Sequence, residues 1–282
     1  MILVDLNQVM ISNLMQQINS RTDVELSPDL IRHMVFNALR SYKVKFGKEF
    51  GRMVICCDNK DYWRKKYFPY YKANRKKNRD ESGFDWNLIF ECLNTIKREI
   101  KEYSPYLVIE IEHAEADDII GTISHTVREE PILILSGDKD FQQLQIYDNI
   151  KQYSPILKKF VTCDNAETFL IEHIITGDSG DGVPNILSDD DAIVSEDKRQ
   201  KPIRKDKIAK WVSDLDGLLS SVNRINYDRN KKLIDLREVP DEIKQQIHSK
   251  YNDNLIEGGR EKLLNLFIAK RMKMLIEVLE EF

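Results

Sequence analysis

The sequence of 282 residues predicts an α/β fold, a mostly parallel central sheet with flanking helices followed by a smaller helical carboxyl-terminal domain. Three observations carry this. Short apolar runs with the texture of buried strands alternate with longer stretches of 3.6-residue periodicity. Acids recur just beyond the ends of those runs. After Ile175 the texture turns to helices and charged turns. Parallel strands are buried on both faces, so they read as continuous apolar runs, and each needs a crossover before the next. A chain of this length can bury a full core with a smaller appendage, and the boundary is read as 1–175 and 176–282.

In chain order, Met1 to Val4 is a short buried strand ending at Asp5. Pro28 to about Lys45 has helical period, with Leu30, Ile31, Met34, Val35, Ala38 and Leu39 apolar. Arg52 to Cys57 is a second strand, followed by Asp58, and Tyr106 to Ile111 is a third. His113 to Val127 reads as a helix with Ile119, Ile120, Ile123 and Val127 on one face. Pro131 to Leu135 is a fourth strand, with Asp138 just past its end. From Ile208 to Phe282 the chain reads as helices broken at Pro240 and at Gly258-Gly259.

Four cysteines, Cys56, Cys57, Cys92 and Cys163, show no C-x-x-C spacing, which argues against zinc and disulfides and for a reducing cytoplasm, the host cell's if the chain is phage-encoded. No charged-then-apolar leader opens the sequence and no apolar run approaches the roughly 18 to 20 residues a bilayer needs, so no membrane partner is expected.

Nine carboxylates stand out: Asp5, Asp58, Glu115, Asp117, Asp118, Asp138, Asp140, Asp178 and Asp181. In an open parallel sheet ligands bind beyond the carboxyl ends of the strands, and Asp5, Asp58 and Asp138 all fall at such ends. Acids converging there repel one another unless divalent cations sit between them. Oxygen ligands without supporting His or Cys favour Mg²⁺, with Mn²⁺ able to substitute, and two such ions are the tool of a phosphodiester hydrolase. Glu115, Asp117 and Asp118 open a helix, where one acid suffices as a cap, so at least one of the three is expected to face the ions. The net charge of −4 is misleading, because the chain without these nine acids carries +5.

Between Lys60 and Arg79 nine Lys or Arg residues face one acid, interleaved with Tyr62, Trp63, Tyr67, Phe68, Tyr70 and Tyr71. Basic side chains bind phosphates and aromatic faces stack on unpaired bases, which makes Arg64, Lys65, Lys66, Tyr71, Lys76, Lys77 and Arg79 candidate nucleic-acid contacts. Residues 186–207 read as a charged mobile loop able to meet a phosphate backbone, with Lys205 and Lys207 at its end.

The acids, their order and the string Tyr71-Lys72-Ala73-Asn74-Arg75 resemble the structure-specific 5′-nuclease (flap endonuclease) superfamily. The likeness is closest to its T-even phage ribonuclease H branch, through Asp61-Tyr62-Trp63-Arg64, Asp85-Trp86, Glu115-Ala116-Asp117-Asp118, Gln152-Tyr153-Ser154-Pro155 and the final Glu281-Phe282. The resemblance implies a PIN-like nuclease core and a helical arch over residues 60–84 that carries Lys72 and Arg75 to the scissile phosphate. It further implies a helix-three-turn-helix-like element opening at Gly177, and all nine acids as metal ligands. The chain departs from the family where many members have a second glycine-rich turn after the Val-Pro; here Asn185-Ile186-Leu187-Ser188-Asp189 and the charged loop follow.

What the resemblance implies is a Mg²⁺-dependent 5′ to 3′ exonuclease and flap endonuclease with ribonuclease H activity. Its substrates would be 5′-flap, nicked or forked DNA and RNA/DNA hybrids, and its role primer removal in replication. It would act as a monomer, with a single-strand-binding protein or a sliding clamp as protein partner. Two alternatives are a PIN-type endoribonuclease, generally shorter and without the basic arch, and a catalytically silent structure-specific DNA-binding protein, for which an intact acid set has no use. A phosphotransfer enzyme lacks its glycine-rich phosphate loop here.

Overall fold

The computed structural model describes residues 1–20, 27–82, 84–221 and 224–282, with the side chains of residues 17–20, 76–78 and 221 outside the description. Its centre is a six-stranded sheet in the order β3-β2-β1-β4-β5-β6. The strands are β1 (Ile2–Asp5), β2 (Met53–Cys57), β3 (Leu107–Glu110), β4 (Ile132–Leu135), β5 (Ile150–Ser154) and β6 (Lys159–Val161). The first five run parallel and β6 pairs antiparallel with β5 at the edge. From β1 the chain winds outward through β2 to β3, then returns to place β4 on the other side of β1. That reversal opens a crevice between the carboxyl ends of β1 and β4, the usual ligand site of such sheets. Asp5 ends β1 and Asp138 follows β4.

The four expected strands are present, and β5 and β6 are additions. Also additional is helix α1 (Leu6–Ser20), which leaves β1 with no intervening loop. Asp5 makes that junction, its Oδ1 accepting from the Gln8 amide at 3.1 Å in the manner of a helix cap. The many amides of α1 obscure its apolar stripe of Leu6, Val9, Met10 and Leu14, which the structure buries. Helix α2 (Pro28–Phe50) begins at the cap Ser27 with Pro28 in its first turn and stops at Gly51.

Side chains alternate across the strands and feed two cores. Ile2 and Val4 join α1, α2 and α5 (Trp86–Tyr103) on one face. Leu3 joins α6 (Ala116–Thr126), a 3₁₀ helix (Lys139–Ile146) and α11 (Asp241–Asp253) on the other. A third core lies beyond the sheet, where α7 (Ala166–Thr176), α8 (Lys205–Ser213), α9 (Leu215–Ser221) and α10 (Arg224–Ile234) enclose Trp211, Leu218 and Tyr227 together with Phe68 and Tyr71.

The chain after 175 therefore packs in two places. Helices α7 to α10 gather around the third core, whereas α11 lies on the sheet, and α12 (Arg260–Ala269) and α13 (Lys273–Ile276) return to α2 and α5. Phe267 meets Phe36 and Phe282 with ring centroids 5.4 Å apart in both pairs. The 186–207 segment, expected to be mobile, is stitched down. The Asn185 amide donates to Gln200 Oε1 at 2.8 Å, the Lys201 amide to Ser188 Oγ at 2.8 Å, and Arg229 ties Asp190 to the Pro184 carbonyl. Lys205 and Lys207 are exposed, but on the first turn of α8 rather than on a loop.

Two glycines separate backbone need from helix tolerance. Gly177 ends α7 at φ +69°, and a Cβ there would stand 2.4 Å from the Val183 carbonyl oxygen. Gly47 is helical and meets only the flexible Lys43 side chain. Gly177→Ala is expected to cost about 1–3 kcal/mol in urea denaturation, while Gly47→Ala should stabilise by up to about 1 kcal/mol.

Candidate active site

At the crevice a cavity of about 610 Å³ has a floor of Asp5, Asp58, Asp117 and Asp138, and Lys72, Arg75 and Arg79 on one wall. Asp5, Asp58 and Asp138 are each held from behind. Asp5 Oδ2 accepts from Ser136 Oγ at 3.1 Å. Asp58 accepts from Asn7 Nδ2 at 2.6 Å and from the Ala116 amide at 2.7 Å, so it ties α1 to the first turn of α6. Asp138 Oδ1 accepts from the Asp140 amide at 3.0 Å, and Gln152 fixes the turn by donating to the Ser136 and Asp138 carbonyls.

Their protons report the crowding. Burial, with Asp58 and Asp138 adding, pushes the Asp5 carboxyl up to about 7. Burial and Asp140 push Asp138 up to about 6. Burial with Asp138 and Asp5 nearby raises Asp117 well above the carboxylate range. An all-oxygen donor set whose members resist ionising together fits a hard divalent cation, which would relieve the repulsion.

Glu115 and Asp118 do other work. Asp118 accepts from the Glu115 amide at 2.9 Å and from Trp63 Nε1 at 3.1 Å, and pairs with Arg64 at 2.8 Å. Glu115 accepts from Arg64 at 2.9 Å, from the Tyr71 hydroxyl at 3.1 Å and from Lys72 Nζ at 2.5 Å. Burial alone would raise the Glu115 pKa, but Lys72 and Arg64 bring it below its ordinary value. Asp118 is thus fully buried and engaged by Arg64, Trp63 and the Glu115 amide.

The basic segment corrects two expectations. Arg64 is 2 % exposed on α3 (Trp63–Tyr67), where it also donates to the Leu233 carbonyl, and Tyr71 is 4 % exposed with its hydroxyl on Glu115 and Asp181. Neither can meet nucleic acid. Much of the aromatic content that signalled base stacking instead builds core, since Trp63 and Phe68 are buried too. Lys65 and Lys66 are exposed and Arg79 lines the cleft. Lys76 and Lys77 lie on α4 (Asn74–Asp80), with side chains outside the described residues.

Lys72 and Arg75 line the same cleft as the acids. Lys72 has φ +57°, its amide donates to the Asp181 carbonyl at 2.7 Å, and its ammonium lies 3.5 Å from Asp181 Oδ2. Burial would lower its pKa, but Glu115 and Asp181 raise it, so it stays charged. Arg75 pairs with Asp181 Oδ1 at 2.5 Å. The two remaining acids, Asp140 and Asp178, meet elsewhere. His173 Nε2 stands 2.9 Å from Asp140 Oδ1 and 3.4 Å from Asp178 Oδ2, which Lys139 approaches at 3.1 Å. Burial would lower the His173 pKa, yet its bonds to Asp140 and Asp178 push it up to about 9. The sequence reading found neither His173 nor the Arg64 pairing. A histidine five residues before Asp178, one turn from a helix-ending glycine, is the signal for the first. For the second there is none.

Residues 7–172 match the family described as 5′-3′ exonuclease, N-terminal resolvase-like domain, and residues 164–282 match T4 RNase H, C terminal. The chain is 32 % identical over 293 residues to the ribonuclease H of enterobacteria phage T4, covering 99 % of this chain and 95 % of that protein. A 5′-3′ exonuclease of Buchnera aphidicola is 29 % identical over 150 residues, about half of each chain. Among solved structures, the phage T5 5′-exonuclease with bound zinc superposes with a TM-score of 0.59 at 17 % identity, covering 91 % of this chain and 99 % of that one. A T5 flap endonuclease in a pseudo-enzyme-product complex with DNA and metal ions gives 0.60 at 16 % identity, covering 90 % and 98 %.

Replacing Arg64 by Met strands two buried carboxylates and should cost about 3–5 kcal/mol in urea denaturation, whereas Arg204→Ala at an 83 % exposed side chain should stay within about 0.5 kcal/mol. The raised carboxyls give a pH dependence. Acids whose folded pKa lies above the unfolded one, about 4, stabilise the fold at low pH and lose that stabilisation as pH rises through about 6 to 7. Cations offset this loss, so in melting curves the increase in Tm from EDTA to Mg²⁺ should be larger at pH 8 than at pH 5.

Proposed function

The chain belongs to the 5′-3′ exonuclease family, and from that premise we propose that it is a Mg²⁺-dependent 5′ to 3′ exonuclease and flap endonuclease with ribonuclease H activity. It is a nuclease, a metal-dependent hydrolase of phosphodiester bonds. The observation that carries the finer reading is the convergence of Asp5, Asp58, Asp117 and Asp138 with Lys72, Arg75 and Arg79 on one cleft at the sheet's reversal point. Substrates in this reading are 5′-flap, nicked or forked DNA and RNA/DNA hybrids. The T4 relative is named for ribonuclease H activity and a T5 neighbour is bound to DNA and metal ions.

Two Mg²⁺ ions are the proposed cofactors, held by Asp5, Asp58, Asp117 and Asp138, with Asp181 behind Lys72 and Arg75 at the edge. When bound they activate water for attack and neutralise charge developing on the phosphate. The side chains do the rest. Ser136, Asn7 and the Gln8 and Ala116 amides keep Asp5 and Asp58 aimed into the cleft. Lys72, charged and held by a left-handed backbone turn, places an ammonium where the reacting phosphate gains charge. Arg75 is half exposed, free to follow a phosphate from Asp181 into the cleft. Lys65, Lys66, Arg79, Lys205 and Lys207 would bind backbone phosphates, which orients substrate without reading sequence. Primer removal at a replication fork is the proposed role, with a single-strand-binding protein or a sliding clamp as partner.

End-labelled duplexes bearing a 5′ flap, a nick or an annealed RNA primer test this directly. Wild-type protein should release short products from the 5′ end in Mg²⁺ and none in EDTA, and Asp138→Asn should release none in either. Tight flap binding without cleavage in Mg²⁺ or Mn²⁺ would leave a DNA-binding role instead. Lys72→Ala should lower turnover by roughly 10²- to 10³-fold with substrate affinity changed far less.

A further inference from the structure

A second cavity, of about 330 Å³, adjoins the catalytic cleft along α1, bounded by α1, α2 and the turn that joins β5 to β6. Asn13 and Gln16 of α1 line both spaces. The turn borders both as well, with Pro155 and Ile156 on the cleft and Lys158 on the second cavity. Among the described residues no acid lines this second space, whereas two cations, Lys45 and Lys158, do. We propose that Lys45 and Lys158 form a second phosphate-binding station, which takes a backbone phosphate of a polynucleotide that fills the cleft and continues past α1.

Both cations are placed by the fold and neither is spent. Lys45, near the end of α2, donates to the Tyr153 hydroxyl at 2.7 Å and lies 4.3 Å from the centre of that ring. Tyr153 is buried, with its ring 4.8 Å from that of Phe46 and 5.4 Å from that of Phe160, so packing fixes the group that aims Lys45. An ammonium has three donors and the hydroxyl takes one. Lys158 ends the turn at φ +53°, where the Leu157 amide donates to Ser154 Oγ at 3.2 Å. Among the described residues neither ammonium meets a carboxylate, in contrast to Lys72 and Arg75 on Asp181 or Lys151 on Glu49. Asn37, on the same cavity, spends its Oδ1 on Arg40 at 3.0 Å, which leaves its Nδ2 to donate.

Charge decides what such a cavity takes. Two ammonium groups beside amide donors, with no acid between them, repel cations and favour an anion. The identity of that anion rests on the nuclease reading, in which the adjoining cleft holds phosphodiesters. A polynucleotide repeats its charge at every nucleotide, so a strand that leaves the cleft over Asn13 and Gln16 brings a phosphate to the lysines. Contacts of this kind set register and orientation and read no sequence. With Lys72, Arg75 and Arg79 on the cleft's basic wall, the substrate is gripped from two directions.

The test is made on full-length protein in EDTA, where binding is read without cutting. A 5′-flap duplex is bound over a range of salt concentrations, and the slope of log affinity against log salt falls by ~0.9 for each lost duplex phosphate contact. Lys45→Gln and Lys158→Gln should each reduce the slope by about 1 and the double variant by about 2. Lys262→Gln, an exposed lysine on α12 that lines neither cavity, should leave it unchanged. Acetylation of wild-type lysines, read by mass spectrometry, needs no variant to fold. Bound flap duplex should protect Lys45 and Lys158, while dTMP alone should not. A wild-type slope in the double variant, or equal acetylation of both lysines in free and bound protein, would overturn the station. Protection by dTMP alone would make it a free-nucleotide site and overturn the polynucleotide assignment. Lost slope without cleavage in Mg²⁺ would refute the nuclease reading and leave the station standing, whereas normal cleavage with unchanged slopes would refute the station alone.

Discussion

Neutralising buried carboxylates is the constraint around which this structure is arranged. The sheet's reversal brings acids from the ends of β1, β2 and β4 and from the start of α6 into one low-dielectric region, where like charges are costly. Three different solutions stand side by side. Glu115 and Asp118 are matched by the buried guanidinium of Arg64. Asp181 is covered by Lys72 and Arg75. Among the described residues Asp5, Asp117 and Asp138 have no such cation committed to them, and burial together with their acidic neighbours makes them hold their protons more tightly. Among the described residues the acids without a fixed counter-charge are those at the floor of the cleft, so the unmet demand for positive charge coincides with the proposed site of chemistry.

The same compensation couples the halves of the molecule. Arg64 joins α3 to α6 through two carboxylates and to the end of α10 through the Leu233 carbonyl. The backbone repeats the connection, with the Lys72 amide on the Asp181 carbonyl and Asn74 Nδ2 on the Ser179 carbonyl at 3.0 Å. Gly182 permits the approach, since a Cβ there would stand 2.7 Å from the Tyr70 carbonyl oxygen. The base of the basic segment is therefore clamped to the Gly177 turn, and the cations that reach the cleft are positioned by the helical region beyond the sheet.

A good part of the site was legible because its signals are local. An acid one step beyond a buried strand declares its position once the strand is recognised, as at Asp5, Asp58 and Asp138. Helix α6 declared itself by the period of Ile119, Ile120 and Ile123. Helix α1 stayed hidden because its amides interrupt its apolar stripe and no loop separates it from β1. Strands β5 and β6 were hidden by their charged and polar edge residues. The basic segment misled in a physical way, because tyrosine, tryptophan and arginine have the same letters whether they face a base or fill a core.

By itself the sequence determined the alternating architecture, the crevice acids and the presence of basic residues near them, since period and end position follow from the backbone's own geometry. Tertiary structure alone decided how the acids are shared out: which face the cleft, which are spent on Arg64, and that Asp140 and Asp178 turn to His173. Counter-charges come from residues far apart in the chain, as Arg64 and Glu115 do, or Arg75 and Asp181. Electrostatic energy depends on distance and burial, and neither exists until the chain has folded.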